Sequence, residues 1–193
     1  MGDYTAKFIP TVYPRGYGNK EEEQDIRFLM TDQRIHLFDT RMSPATGFIA
    51  YQKASLELTY QDRYHFCGSL LGNIRYKEGP PHQIVDLKKG VMGLIGYLCG
   101  TVDVTTSIVL MCGCSTIHEG QEVALCECPT NKPCERCIPY RGKQGCHVNT
   151  IVQALHKLRP GIPIEYAYHD DSKKPAKKSK KKKTDVEYAI PLF

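Results

Sequence analysis

Cysteine and histidine residues, whose side chains can bind metal ions, are concentrated in one stretch of this chain. Seven of its nine cysteines lie between residues 112 and 146. Thiolate and imidazole are the ligands that tetrahedral zinc prefers, and cysteines one or two residues apart can place two sulfurs on one ion. The sequence therefore predicts structural zinc, with the candidate ligands Cys112, Cys114, His118, Cys126, Cys128, Cys134, Cys137, Cys146 and His147. Nine candidates allow one or two four-coordinate ions with a ligand to spare.

The spacing of the cysteines differs from pair to pair. Cys134 and Cys137 have the two-residue gap of a zinc knuckle, which is the strongest indication of metal. The Cys-x-Cys pairs that begin at Cys112 and Cys126 indicate metal less strongly. A gap of one residue also puts both side chains on one face of a strand, where cysteines are often ordinary buried residues.

Disulfide bonds and unlinked thiols are the alternatives to zinc. Disulfides need an oxidising compartment, and the N-terminus has neither the basic start nor the apolar stretch of a secretory signal, but carries Asp3 and Pro10. An odd number of cysteines also leaves one without a partner. These observations favour zinc and an intracellular protein, cytoplasmic or nuclear.

A helix is predicted over residues 149–159, directly after the last cysteine. Apolar residues recur at helical spacing from Ile151 to Leu158, and a proline follows. Cys146 and His147 then stand at the helix N-terminus, where the dipole and the unpaired N–H groups favour thiolates. This order of knuckle and helix resembles the treble-clef arrangement of zinc modules.

The C-terminal tail carries most of the positive charge. The net charge of the chain is +5, and residues 169–193 contribute eight lysines against four acidic residues, or +4, which leaves +1 for the body. A lysine run buries nothing apolar and repels itself, so a disordered arm is predicted. Its candidate polyanion-binding residues are Lys173, Lys174, Lys177, Lys178, Lys180, Lys181, Lys182 and Lys183.

Three kinds of partner suit this arm: a nucleic acid or other polyanion, a nuclear import receptor that reads a nuclear localisation signal, or an anionic membrane surface. A solvated tail without a partner is the plain alternative. Lysines without interleaved aromatic residues bind phosphates strongly but without sequence preference, which favours a nucleic acid or another polyanion. Of the nucleic acids, RNA is the preferred candidate, although lysine contacts to phosphate do not separate RNA from DNA. The apolar residues 186–193 that follow suggest self-association into a homo-oligomer.

Ahead of the cysteines the chain is predicted to be mainly antiparallel β-structure. Short segments alternate apolar and polar residues between turn residues, namely residues 26–28, 34–38, 56–60 and 74–76. The predicted fold is therefore α+β, mostly antiparallel, with one helix after the zinc module. Its predicted parts are an extended arm over residues 1–20, a β-rich body over 21–111, a zinc module over 112–168 and the lysine-rich tail over 169–193.

Residues 91–111 are long and apolar enough to be tested as a membrane span. Asp103, three glycines and a run of hydroxyl residues inside the segment argue against that. A buried hairpin is predicted instead, and a membrane is not an expected partner.

Catalytic interpretations of the cysteines fit less well. Cys134 and Cys137 follow a proline as in zinc deaminases, but His118 is followed by Glu-Gly, whereas the deaminase motif has its glutamate two residues after the histidine. The segment from His118 to Glu122 likewise lacks the second histidine of a zinc protease. Cys67 near His65 or His82 could form a thiol site, although a lone cysteine among aromatic residues is more often a small buried residue.

The sequence thus predicts a non-enzymatic, zinc-stabilised protein that binds nucleic acid or another polyanion through its basic arm. A self-assembling structural or host-interaction protein, held together by zinc and the apolar C-terminus, is the alternative. A zinc-dependent, deaminase-like enzyme is a third hypothesis, which an open coordination position on the metal would favour.

Overall fold

A four-stranded parallel sheet forms the centre of the fold. The computed structural model describes residues 9–18, 20–76, 82–100, 106–114, 117 and 146–167. The strands are β1 (Val12–Gly16), β2 (Ile35–Asp39), β3 (Tyr64–Phe66) and β4 (Ser107–Cys112), in the order β1-β4-β2-β3. The helices are α1 (Lys20–Leu29), α2 (Lys53–Tyr60), α3 (Gly68–Leu71), α4 (Leu87–Gly100) and α5 (His147–Leu158), with short 3-10 turns at Ile49–Tyr51 and Gln61–Arg63.

The predicted antiparallel arrangement is wrong, because the strands of all three pairs run in the same direction. On β4, Val109 is aligned with Tyr13 of β1 on one side and with Leu37 of β2 on the other. Parallel neighbours cannot be joined by a tight turn, so the chain returns to the same edge each time through a segment that contains a helix. The structure mixes helices and strands, but the described residues form five α-helices where the prediction had one.

Several segments predicted as strands are helical. Residues 26–28 lie in α1, residues 56–60 in α2, and residues 74–76 form a turn, whereas only residues 34–38 overlap a strand. The hairpin predicted over 91–111 is helix α4 followed by β4. A few alternating residues fit one face of a helix as well as one face of a strand, so such short patterns do not separate the two.

The central strand β4 is buried along its whole length. Its side chains alternate: Ile108 and Leu110 pack in the core with α3, α4 and α5, whereas Val109 and Met111 pack on the opposite face with α1 and α2. Helices thus cover both faces of the sheet. A continuous apolar run such as that of β4 is typical of parallel strands covered in this way.

Local sequence explains where the helices begin. Three glutamates in the first turn of α1 lie at the positive end of its dipole. The Asp86 carboxylate accepts a hydrogen bond of 2.9 Å from the N–H of Lys89 at the start of α4. Helix α5 begins at His147, slightly before the predicted residue 149. No helix within the described ranges is both long and apolar enough to cross a membrane.

Three strands end side by side at one edge of the sheet, which positions the candidate site. β1 ends at Gly16, β2 at Asp39 and β4 at Cys112. Residues 12–16 were predicted to belong to an extended arm over residues 1–20. In the structure they form β1, which is an edge strand of the sheet. The carboxyl edge is where parallel sheets with helices on both faces bind their ligands.

Candidate metal centre

Three cysteines meet at the carboxyl edge of the sheet. The sulfur atoms of Cys112, Cys114 and Cys146 lie within 4.8 Å of one another, and those of Cys112 and Cys146 are 3.0 Å apart. Sulfurs on one tetrahedral zinc ion are separated by about 3.8 Å when each zinc–sulfur bond is about 2.3 Å. This group, called the three-cysteine cluster below, could therefore hold a metal ion after small side-chain shifts.

Backbone hydrogen bonds from the end of β1 hold the Cys-Gly-Cys segment in place. The N–H of Tyr17 donates to the carbonyl of Cys112 at 3.2 Å, and that of Gly18 donates to the carbonyl of Cys114 at 2.9 Å. Gly16 allows this close approach, because a Cβ atom there would lie 2.2 Å from the Cys114 carbonyl oxygen. Any larger residue at position 16 would push the two segments apart.

Buried Glu22 at the start of α1 ties the chain around the cysteines together. Its side chain is 1% exposed, and its carboxylate accepts hydrogen bonds from the N–H groups of Gly16 and, at 3.0 Å, of Ile117. One side chain thus connects α1, the end of β1 and the chain just beyond Cys114. A buried carboxylate needs such donors, and here they also fix the path of the backbone near the cluster.

Backbone N–H groups point at two of the sulfur atoms. Cys146 is the N-cap of α5, and its sulfur accepts from the N–H of Val148 at 3.4 Å. The sulfur of Cys112 accepts from the N–H of Cys114 at 3.3 Å. N–H donors and the helix dipole stabilise negative sulfur, and the thiolate is the form that binds metal.

The three thiols do not ionise alike. Burial raises the pKa of Cys112 and of Cys146. Hydrogen bonds from Cys112 and Cys146 lower the pKa of Cys114 instead. Cys114 is therefore the thiol of the three that loses its proton most readily, and a divalent ion would favour loss of the other two protons.

His147 contacts the backbone of another strand end. Its Nε2 lies 3.0 Å from Oγ1 and 3.1 Å from the carbonyl oxygen of Thr40, so it is placed to donate to one of these oxygens. Burial lowers its pKa to about 4, which keeps the ring neutral near pH 7. The ring of His82 meets it edge-on at 6.1 Å. His147, a predicted ligand, is not among the three groups whose donor atoms converge.

The structure brings together three of the nine predicted ligands. The others, apart from His147, lie outside the described residues: His118, Cys126, Cys128, Cys134 and Cys137. The predicted polyanion-binding residues also lie outside: Lys173, Lys174, Lys177, Lys178, Lys180, Lys181, Lys182 and Lys183. Within the described ranges all cysteines are free thiols.

The end of β2 holds a buried polar network that the sequence did not reveal. The Asp39 carboxylate accepts from Nε of Arg41 at 2.7 Å and from the hydroxyl of Tyr64 at 2.9 Å. Asp39 is fully buried, and Tyr17 accepts a further hydrogen bond from Arg41 at 3.1 Å. The polar run Asp-Thr-Arg, which begins at the last residue of the otherwise mostly apolar β2, is typical of the carboxyl end of a parallel strand, and only that pattern could have indicated the network.

The whole chain was also compared with known proteins. Protein-family models, curated proteins and solved structures were searched in turn. None of the three searches gave a match.

Proposed function

We propose that the chain is a zinc-binding protein in which Cys112, Cys114 and Cys146 hold one zinc ion at the carboxyl edge of the sheet. The convergence of these three sulfurs from two separate segments is the observation that carries the proposal. Soft thiolate ligands select zinc over magnesium or calcium, and three such ligands are compatible with a tetrahedral ion. The ligand in the fourth position would come from the candidate side chains between residues 115 and 145, or from water.

The zinc would act as a cross-link within the fold. Cys112 and Cys146 are 34 residues apart, at the end of β4 and at the start of α5. An ion that joins them closes this long segment and restricts the unfolded chain, which stabilises the folded state. Free thiols require reducing conditions, so an intracellular location is part of the proposal.

The lysine arm would supply the binding function. The tail that carries its eight lysines contributes +4 of the net charge of +5, and phosphate contacts by lysine are strong at low salt. The zinc-stabilised body would then carry an arm that binds nucleic acid, RNA in particular, without reading its sequence. A nuclear import receptor and a second copy of the chain are the other partners that the tail allows.

A catalytic zinc is the second candidate function, and the position of the cluster favours it. The carboxyl edge of a parallel sheet is the usual place for substrates in folds of this architecture. Catalytic zinc has three protein ligands and a water molecule, whereas structural zinc has four protein ligands. X-ray absorption on the zinc-loaded protein distinguishes the two: four sulfur or nitrogen ligands from the protein indicate a structural ion, and a bound oxygen indicates an open position.

Metal analysis of the purified full-length chain tests the zinc proposal. We expect bound zinc in the wild type and one ion fewer per chain in Cys146→Ser. The matched control is Cys99→Ser, because Cys99 is also a free thiol but lies exposed on α4. Unchanged zinc content in Cys146→Ser, or a disulfide between Cys112 and Cys146 in freshly purified protein, would show the proposal to be wrong.

Nucleic-acid binding is tested separately by titrating a single-stranded RNA at several salt concentrations. If the arm makes the contacts, affinity falls steeply as salt rises, and replacing the eight lysines by alanine removes most of it. Binding that survives this replacement would contradict the proposed role of the arm. It would leave the zinc proposal untouched, because the two rest on different residues.

A further inference from the structure

A second group of metal-binding side chains converges away from the three-cysteine cluster. His36 lies on β2, His65 on β3 and Tyr97 on α4. Nδ1 of His36 is 3.1 Å from Nε2 of His65, and the Tyr97 oxygen is 2.6 Å from the first nitrogen and 3.2 Å from the second. We call this group the His-His-Tyr cluster.

The two clusters lie at different positions along the strand direction of the sheet. His36 is aligned with Ile108 on β4, four residues before Cys112. At about 3.3 Å per residue this separates them by about 13 Å along the strand direction. The His-His-Tyr cluster is therefore a different location from the three-cysteine cluster, and its residues come from two strands and one helix.

The three contacts of the His-His-Tyr cluster share at most two protons when both imidazoles are neutral. In neutral imidazole each ring nitrogen carries either a proton or one lone pair, and a phenol has one proton. If Tyr97 donates to His36, the N–H of His65 is shared between the Tyr97 oxygen and the His36 nitrogen. The three contacts are then not three separate hydrogen bonds, whereas a metal ion would accept a lone pair from each of the three atoms.

We propose that the His-His-Tyr cluster is a second metal site that binds one divalent transition-metal ion. Nitrogen or oxygen ligands of tetrahedral zinc are about 3.3 Å apart, since each bond is about 2.0–2.1 Å. Two of the three separations are already close to that value. The shorter one, between Tyr97 and His36, is a hydrogen bond that the ion would replace. Two imidazoles and a phenolate suit zinc, cobalt or copper rather than magnesium or calcium.

Packing keeps the three rings in place before any ion arrives. The rings of His36 and His65 meet end to end through the two nitrogens, with centroids 5.4 Å apart and planes 8° from parallel, so a small rotation of each ring would aim both lone pairs at one ion. Phe38 packs against both His65 and Tyr97, with its ring centroid 4.5 Å from that of His65 and 5.0 Å from that of Tyr97. All three members are half-buried, so an ion can reach them from solvent. A site whose ligands are held in advance loses less entropy on binding.

The surrounding charges are compatible with a cation. Burial lowers the pKa of His36 and of His65, so both rings are neutral and able to bind metal near pH 7. The negative charge of Asp62 acts on both histidines and on Tyr97. The positive charge of Arg63 acts on His36 in the opposite sense, but its guanidinium is held by the carbonyls of Met30, Asp32 and Ile35.

Binding of the ion would release one proton from Tyr97. Burial raises the pKa of this phenol, so it is protonated in the metal-free protein near pH 7. The oxygen forms its bond to the metal as the O–H bond breaks, and the proton passes to solvent. Affinity should therefore increase with pH, and tyrosinate absorbance should appear as the ion binds.

A cobalt titration of the full-length, reduced protein tests the proposal. Zinc is first added until the zinc–thiolate absorbance stops rising, which fills the sulfur ligands, and Co²⁺ is then titrated. We expect one further Co²⁺ per chain, with visible cobalt bands and a tyrosinate difference spectrum but without thiolate-to-cobalt charge transfer. Absence of any bound ion, zinc or cobalt, beyond those held by the thiolates would overturn the proposal.

Variants assign the binding to these residues. Tyr97→Phe keeps the ring that packs on Phe38 and removes only the oxygen, so it should fold normally, lose the tyrosinate signal and weaken Co²⁺ binding at least about tenfold. His36→Ala should weaken it at least as much. The control is His156→Ala, because His156 is an exposed histidine on α5. Equal Co²⁺ affinity in Tyr97→Phe and the wild type would exclude the site. Cys146→Ser tests the zinc proposal alone, because it leaves all three of these ligands in place.

Discussion

The three-cysteine cluster and the His-His-Tyr cluster are built in different ways. In the first, two ligands are neighbours on one short segment and the third caps a helix, so backbone geometry does most of the positioning. In the second, even the two ligands nearest in sequence, His36 and His65, are 29 residues apart, and side-chain packing brings the three rings together. The first is mostly buried and the second half-exposed. If both clusters bind metal as proposed, we expect the buried cysteine site to stabilise the fold and the half-exposed site to exchange its ion with solvent.

Removal of metal by a chelator should have the largest effect and should separate the two clusters. Structural zinc contributes on the order of 10 kcal/mol in small zinc modules. This chain also has a hydrophobic core, so we expect the zinc-loaded protein to lose about 10 °C or more in Tm, measured by calorimetry under reducing conditions. Tyr97→Phe should lose as much as the wild type. An unchanged Tm after complete zinc removal would mean that zinc does not stabilise the fold.

Asp39→Asn should be the most damaging single substitution outside the cysteines. It leaves the guanidinium of Arg41, 7% exposed, without its buried carboxylate partner. Breaking a buried pair from one side costs about 3–5 kcal/mol, to be measured by urea unfolding. The matched control is Asp32→Asn, whose partner Arg34 is exposed, and it should be nearly neutral. Equal losses in the two variants would contradict the structural role of the Asp39–Arg41 pair.

Gly16→Ala should disturb the three-cysteine cluster and spare the His-His-Tyr cluster. The added Cβ would lie 2.2 Å from the Cys114 carbonyl oxygen and 3.2 Å from the Glu22 carboxylate. Forcing these segments apart should cost about 1–3 kcal/mol of unfolding free energy and weaken zinc binding. Gly96→Ala is the control, because nothing lies within 4 Å of the new methyl group on α4, and it should stabilise the protein slightly. Zinc affinity equal in both variants would refute the positioning role of Gly16.

Tyr97→Phe should have the smallest effect on stability. In the metal-free protein it removes a half-buried hydroxyl and its hydrogen bonds to two histidines, at a cost of about 1 kcal/mol. The same substitution should abolish the added stability that excess Co²⁺ gives to the wild type. Thermal unfolding with and without Co²⁺ measures both quantities. A loss of several kcal/mol without metal would mean that the tyrosine serves the core rather than an ion.

Prediction from sequence succeeded where the pattern is local. Cys112 and Cys114 were predicted as candidate ligands from their residue type and short spacing, and Cys146 from its residue type and its position before the predicted helix. The structure brings the three sulfurs together. The apolar residues at helical spacing after Cys146 do lie in a helix. These features depend on residues a few positions apart, so propensity and periodicity describe them well.

Prediction failed where the answer depends on long-range pairing. Residues 26–28 and 56–60 look like half-buried strands but are faces of α1 and α2, which pack on the sheet. The predicted direction of the strands was also wrong. The residues of a five-residue strand such as β1 or β2 do not show whether its neighbour runs parallel or antiparallel. His36 and His65 appeared unrelated, since only the pairing of β2 with β3 makes them neighbours.

The amino-acid sequence alone determined which chemical groups this protein has: soft sulfur ligands at short spacing, a helix beginning at the last of them and a tail of repelling charge. Each follows from the identity of residues close together in the chain. The tertiary structure alone decided which distant groups meet, because the order and direction of the strands are chosen by burial of both faces of the sheet. That choice placed Cys146 beside Cys112, and Tyr97 over His36 and His65.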